Sequence, residues 1–156
     1  VVKIRVAVAD DVPAIISVGR RTWPETYGFA GSEYIAHGLA TWWSPEAVER
    51  SLANTVVLVA GSGDEIVGTG NIDLRGDVAI IWKLYVVPAA QGTGTGSALI
   101  TSLIGYAGSR PVRLEYLDGN TRAARFYAAQ GFAEIFREPS GHEGWPATIW
   151  AERTAG

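Results

Sequence analysis

Leu84-Tyr85-Val86-Val87-Pro88-Ala89-Ala90-Gln91-Gly92-Thr93-Gly94-Thr95-Gly96-Ser97-Ala98-Leu99 is the stretch that decides how this chain is read. An apolar run ends at a proline, glycine alternates with threonine from Gly92 to Gly96, and helical spacing then begins with Ala98, Leu99 and Ile100. That order is a strand, a turn and a helix. Small residues let the backbone come close to a bound group, the free N–H groups of a helix N-terminus donate to an anion, and the helix dipole favours negative charge there. The loop therefore reads as a cradle for a pyrophosphate, although a glycine turn that binds nothing has the same spelling. Two other phosphate loops are excluded. A dinucleotide-binding fingerprint requires a third glycine where Ser97 stands, and a triphosphate loop requires a Gly-Lys pair, which the chain lacks.

Outward from the loop, strand signals run over Val56 to Ala60, Ile66 to Leu74 and Val78 to Val87, separated by turns at Gly61-Ser62-Gly63-Asp64 and Gly76-Asp77. They predict two hairpins in an antiparallel meander. Beyond the loop helix, Pro111 precedes a short strand from Val112 to Leu117, and strand, helix, strand requires a parallel crossover. Asn120 caps a last helix that ends at Ala129 before Gly131, and strands follow at Phe132 to Arg137 and Thr148 to Glu152. At the other end Val2 to Val8 alternates as a strand, and Asp10, Asp11 and Pro13 start a helix carrying Ile15, Ile16 and Val18. From Trp23 to Trp43 the pattern loosens into short helices or a long connection, after which Ser44-Pro45-Glu46 opens a helix to about Leu52. The expected fold is α/β of the α+β type, a mixed, mostly antiparallel sheet of six or seven strands flanked by helices, in one domain over 1–156. A ligand belongs where that sheet turns from antiparallel to parallel.

A chain of 156 residues with 47% hydrophobic and 19% charged residues is neither disordered nor membrane-like, and it is long enough to bury a core without staples. The net charge is -3 and no basic run exceeds Arg20-Arg21, so nucleic acid is not an expected partner. No apolar stretch approaches the roughly 18 residues of a membrane span. The absence of cysteine removes disulfides, thiol nucleophiles and cysteine metal sites, and makes the reducing cytoplasm the expected location. With no methionine present, Val1 is not expected to be the native start. His37 and His142 lack the His-Glu-x-x-His spacing, so no metal is expected, and no Gly-x-Ser-x-Gly elbow supports a serine hydrolase.

Gln91-Gly92-Thr93-Gly94-Thr95-Gly96 matches Gln/Arg-x-x-Gly-x-Gly/Ala, and so resembles the acetyl-CoA loop of the GCN5-related N-acetyltransferase family. Downstream, Asn120-Thr121-Arg122-Ala123-Ala124-Arg125-Phe126-Tyr127 followed by Gly131-Phe132 is similar to the second signature of that family. Two motifs in the right order are far more specific than one, and the resemblance is strong from about Ile81 to Phe132. It implies a GNAT-like fold with acetyl-CoA as cosubstrate. It implies that Leu84, Tyr85 and Val86 line the pantetheine arm, their main chain pairing with it like an added strand. Gln91 through Ser97 would hold the pyrophosphate, and Asn120 would bond the cosubstrate near its reactive end. Tyr127 would be the general acid that protonates the departing thiolate. Read from the residues alone, Tyr127 is equally a core aromatic, and Asn120 is a helix cap, a role compatible with ligand contact.

Alkylammonium groups have a pKa of about 10.4, so acylation near neutrality needs a group that removes a proton. Glu115 is the leading candidate, against its reading as an ordinary strand carboxylate, with Asp73 and a relayed water open. Trp23, Tyr27, Trp42 and Trp43, with Glu25, Glu33 or Glu46 nearby, would wall an acceptor site for a cationic amine, against their reading as packing aromatics. The resemblance puts the loop holding His142 beside the acceptor, where His142 would make a minor contact. Lack of cysteine favours direct attack in a ternary complex over a covalent acyl-enzyme. The expected activity is acetyl transfer to a primary amine of a small molecule or peptide; the alternative is a noncatalytic acyl-CoA-binding or sensing domain. Exposed aromatics would offer a homodimer interface, unless they pack the core instead.

Overall fold

The computed structural model describes residues 2–154. Its elements run β1 (Lys3–Val6), α1 (Val12–Thr26), α2 (Ser32–Trp42), α3 (Pro45–Asn54), β2 (Val56–Ser62), β3 (Glu65–Asp73), β4 (Ala79–Val86), α4 (Thr95–Ala107), β5 (Val112–Leu117), α5 (Thr121–Ala129), β6 (Ala133–Glu138) and β7 (Thr148–Arg153). The strands form one seven-stranded mixed sheet in the order β1-β2-β3-β4-β5-β7-β6. The meander β2-β3-β4 is antiparallel, as its turns imply, and β4 with β5 is the parallel pair that the crossover through α4 demands. The last strand, β7, lies between β5 and β6 and runs antiparallel to both.

Several ends follow from local chemistry. Ser44 Oγ accepts the Ala47 N–H at 3.1 Å with Pro45 in the first turn, so α3 starts where its spelling puts it. Asp11 does not cap α1. Its carboxylate accepts the Val8 N–H at 2.8 Å and both Arg5 Nη groups at 2.8 Å, closing the turn out of β1 and holding its own pKa below the ordinary range, chiefly through Arg5. The helix α1 runs on through Pro24 to Thr26, past the point where its pattern loosens. A proline in the last turn costs only a single backbone hydrogen bond, which the packing of Trp23 outweighs.

The helices clothe both faces of the sheet. Along β2, Leu58 and Ala60 join Leu99 and Leu103 of α4, while the alternate Val57 and Val59 join Trp23, Trp43 and Val48 of α1 to α3. On β3 the side chains under α4 are reduced to hydrogen at Gly68 and Gly70, where a Cβ would lie 3.0 Å from Leu99 Cδ1 and 2.9 Å from Leu103 Cδ1. The close seat of α4 brings its N-terminus beside the end of β4. Among the described residues no helix is long and apolar enough to cross a membrane.

Candidate active site

Only Ala79 to Ile81 of β4 pairs with β5, opposite Val112 to Leu114. At the next residue β4 carries a bulge: Ile72 faces Ile81, Asn71 faces Lys83, and Trp82 is left over. Beyond it β4 and β5 diverge, leaving the backbone of β4 unpaired on its β5 side and opening two hollows in the gap. Both are bordered by Tyr27, Trp82, Lys83, Tyr85, Glu115 and Tyr116.

The hollow on the α4 side, about 430 Å³, is the one the glycine loop borders. Gly92 and Gly94 have φ of +77° and +86°, the left-handed region that glycine tolerates, and this turns successive loop amides to one side. The first bond of α4 runs from the Ala98 N–H to the Gly94 carbonyl at 3.0 Å, so the amides before it have no helical acceptor. Leu84, Tyr85, Val86, Gln91, Gly92, Gly94, Gly96 and Ser97 all border this hollow. Thr93 and Thr95 do not. Their hydroxyls lie 2.9 Å apart, and that of Thr93 also donates to the Ala90 carbonyl, so both side chains brace the turn from within. Gln91 braces it too, donating to the Val86 carbonyl at 3.0 Å and accepting from Arg122 Nη1 at 2.5 Å.

Asn120 Oδ1 caps α5 by accepting the Ala123 N–H at 3.1 Å, and the residue also borders the hollow. Two turns on, Tyr127 reaches the same hollow with its ring half-buried against Tyr116, Phe126 and Phe132, at centroid distances of 5.8, 5.4 and 6.0 Å. Burial, and secondarily Tyr116, raises its phenol well above the ordinary tyrosine pKa, so it stays protonated.

The hollow on the α1 to α3 side is larger, about 710 Å³. Glu115 stands at its junction with the first. Water reaches this carboxylate, yet the surrounding walls desolvate it, and that effect, followed by the charge of Glu138, raises its pKa above the ordinary glutamate value. Asp73, the other carboxylate considered as a base, borders neither hollow. Arg75 Nη2 at 2.7 Å, the Arg75 N–H at 3.1 Å and Trp82 Nε1 at 3.3 Å occupy it and hold its pKa far below the usual range.

Trp23, Tyr27 and Trp43 border the larger hollow only by their edges, being 3%, 7% and 2% exposed. Their bulk packs α1 and α2 onto the sheet, and the Tyr27 hydroxyl is bonded to that of Tyr85 at 2.7 Å. Trp42, 42% exposed, is the open ring of the group. Glu25, Glu33 and Glu46 lie away from the hollow. So does His142, which stacks behind Trp145 at 3.9 Å and leaves Trp145 to face inward. Among the described residues no three His, Asp or Glu side chains gather as a metal site.

Lys83, Arg122 and Glu138 border the two hollows and were not anticipated. Arg122 lies inside the Asn120 to Tyr127 signature and Lys83 is a single cation in an apolar strand, two signals that reading the loop and the aromatics passed over.

A family model described as "Acetyltransferase (GNAT) family" matches residues 14–132. An uncharacterized protein of Mycobacterium leprae (strain TN) is 31% identical over 103 residues, 62% of this chain; the match spans 29% of that longer protein. Among solved structures, PaiA N-acetyltransferase from Thermoplasma acidophilum in complex with coenzyme A superposes with a TM-score of 0.85 at 21% identity, covering 99% of both chains. The ribosomal-protein-S18-alanine N-acetyltransferase from Escherichia coli gives 0.79 at 18% identity, covering 100% of this chain and 95% of that one. At these identities the superpositions establish a shared fold, and the family model, spanning most of the chain, establishes descent: this chain belongs to the acetyltransferase (GNAT) family.

Proposed function

We propose that the chain moves the acetyl group of acetyl-CoA directly onto a primary amine. The observation that carries this is the divergence of β4 from β5, which joins two hollows of different chemistry at Glu115. In the hollow on the α4 side, the unpaired β4 backbone from Trp82 to Val86 bonds the amides of the pantetheine arm, while the loop amides and Arg122 neutralise the pyrophosphate. The acceptor enters from the other hollow as an ammonium ion. Glu115 takes one proton, and the freed nitrogen lone pair attacks the thioester carbonyl carbon. As the C–N bond forms and the C–S bond breaks, the sulfur leaves as thiolate and receives the Tyr127 phenolic proton; the nitrogen sheds its second proton to water. The raised phenol pKa keeps Tyr127 in its O–H form, the state that a proton donor to the departing sulfur must hold.

Thiol release from acetyl-CoA, followed with an amine panel against a blank without acceptor, tests the proposal; the chain has no cysteine to add background. Release that depends on an amine is the expected result. Tyr127→Phe should lower kcat about 100-fold or more while leaving acetyl-CoA binding intact, and equal turnover would remove Tyr127 from the mechanism. Binding of acetyl-CoA with no release to any amine would favour a noncatalytic binding domain.

A further inference from the structure

The larger hollow has walls of opposite charge. From one side β5 and β6 present Glu115 and Glu138, the latter held by a hydrogen bond from Trp150 Nε1. From the other side α3 and β4 present Arg50 and Lys83. Arg75 borders it as well, but is already paired with Asp73. Neither Arg50 nor Lys83 has a carboxylate partner among the described residues. The Lys83 ammonium lies 2.6 Å from the Trp42 carbonyl and 4.6 Å from the centre of the Trp43 ring, contacts that orient a cation without neutralising it.

The bulge in β4 puts Lys83 there. Ile81 and Leu84 both pack toward the α4 core although they are three residues apart, a spacing that simple alternation forbids and the extra residue Trp82 permits. Lys83 thereby turns to the same side as Tyr85, toward the larger hollow. Asn71 fixes it there, its Oδ1 accepting the Lys83 N–H at 2.9 Å and its amide donating to Thr55 Oγ1 at 3.2 Å. A cation so held, half-buried and without a counter-charge, is costly to the free protein unless something negative comes to it. Burial and the nearby Arg50 lower its pKa to about 8, so it is still mostly charged at neutral pH.

Resting on acetyl transfer at this site, we propose that the acceptor is a primary amine that also carries a carboxylate, with its amine at Glu115 and Glu138 and its carboxylate at Lys83 and Arg50. Trp42, Trp82 and Trp145 on the same walls fit an apolar or aromatic body between the two charges. This acceptor adds a carboxylate to the cationic amine expected from the aromatic residues of the N-terminal half, and moves the amine from Glu25, Glu33 or Glu46 to Glu115 and Glu138. A polyamine would bring positive charge against Lys83 and Arg50. Free amino acids and short acidic peptides share the required chemistry.

The test is thiol release from acetyl-CoA by the intact chain with three sets of acceptors: amino acids with increasing separation of amine and carboxylate, short peptides ending in a free carboxylate, and the carboxamide of each, with spermidine alongside. The expected result is a preference of at least about tenfold in kcat/KM for carboxylate over carboxamide, cut several-fold by Lys83→Met and by the more exposed Arg50→Gln. The set that turns over best distinguishes free amino acids from peptides. Equal or better use of carboxamides or spermidine would overturn the carboxylate site while leaving the transferase standing, and so would a preference unchanged in both variants. Should no acceptor release thiol, calorimetry on the CoA-saturated chain separates the two ideas. Saturable binding of an amino-carboxylate, weakened in Arg50→Gln, would uphold the site against a failed transfer proposal; no such binding would overturn the site.

Discussion

Glu115 is caught between the walls that desolvate it and the charge of Glu138; its own charge reaches the Tyr27 and Tyr34 phenols, and Lys83 borders the same hollow. Its raised pKa means that the base form is lost, as pH falls, sooner than an ordinary glutamate would lose it. The acid limb of kcat/KM is accordingly expected above the usual glutamate range. Glu115→Gln should lower kcat about 100-fold and erase that limb, and a limb that persists in the variant would assign the proton to another group. Glu115, Tyr127 and Asn120 could be nominated from sequence because they lie in or just before a motif with fixed spacing, and the fold brings all three to the border of one hollow. Lys83 was not, because its meaning depends on a bulge that reverses the side it faces and on the lack of any carboxylate near it, neither of which is written in neighbouring residues.

Between β1 and β2 the helices depend on glycines that serve as seats for rings. A Cβ on Gly38 would lie 2.0 Å from Trp23 and one on Gly19 would lie 2.2 Å from Trp43, both rings being buried. Replacing helical glycine by alanine ordinarily gains up to about 1 kcal/mol, whereas forcing a methyl into a filled core costs about 1–3 kcal/mol. The clash should win in Gly19→Ala and Gly38→Ala, seen as lower denaturant midpoints. Gly105→Ala in α4, with open space around its Cβ position, should instead hold or raise the midpoint. The seat at Gly38 is one reason why the stretch from Trp23 to Trp43 resisted reading: this glycine resembles a loop signal until the Trp23 ring that fills it is known, whereas Gly28 and Gly31 have open space around them and mark a true break between helices. The hairpins and the caps at Ser44 and Asn120 were legible because turn and cap chemistry is local. The placing of β7 between β5 and β6 was not, since it joins strands that no short pattern connects.

Across the whole molecule the sheet has a seam. Only the Ala79 to Ile81 and Val112 to Leu114 segments pair β4 with β5, and beyond it the wing of β5, α5, β6 and β7 includes an α5 with no fully buried residue and a β6 exposed along its length. A cosubstrate lying in that gap binds both sides of the seam in the folded state alone. Saturation with acetyl-CoA at about 100 times its Kd should add about 2.7 kcal/mol of stability, and hydrogen exchange should slow most in β5 and α5. A rise in Tm with exchange unchanged in the wing would mean that the ligand binds elsewhere. Of the six tryptophans, Trp23, Trp42, Trp43, Trp82 and Trp145 border the larger hollow, and Trp150 rests edge-on against Trp82. The ultraviolet emission of the chain therefore originates almost wholly in the walls of one cavity. The protein carries its own optical probe of whatever enters there, with no dye or label to add.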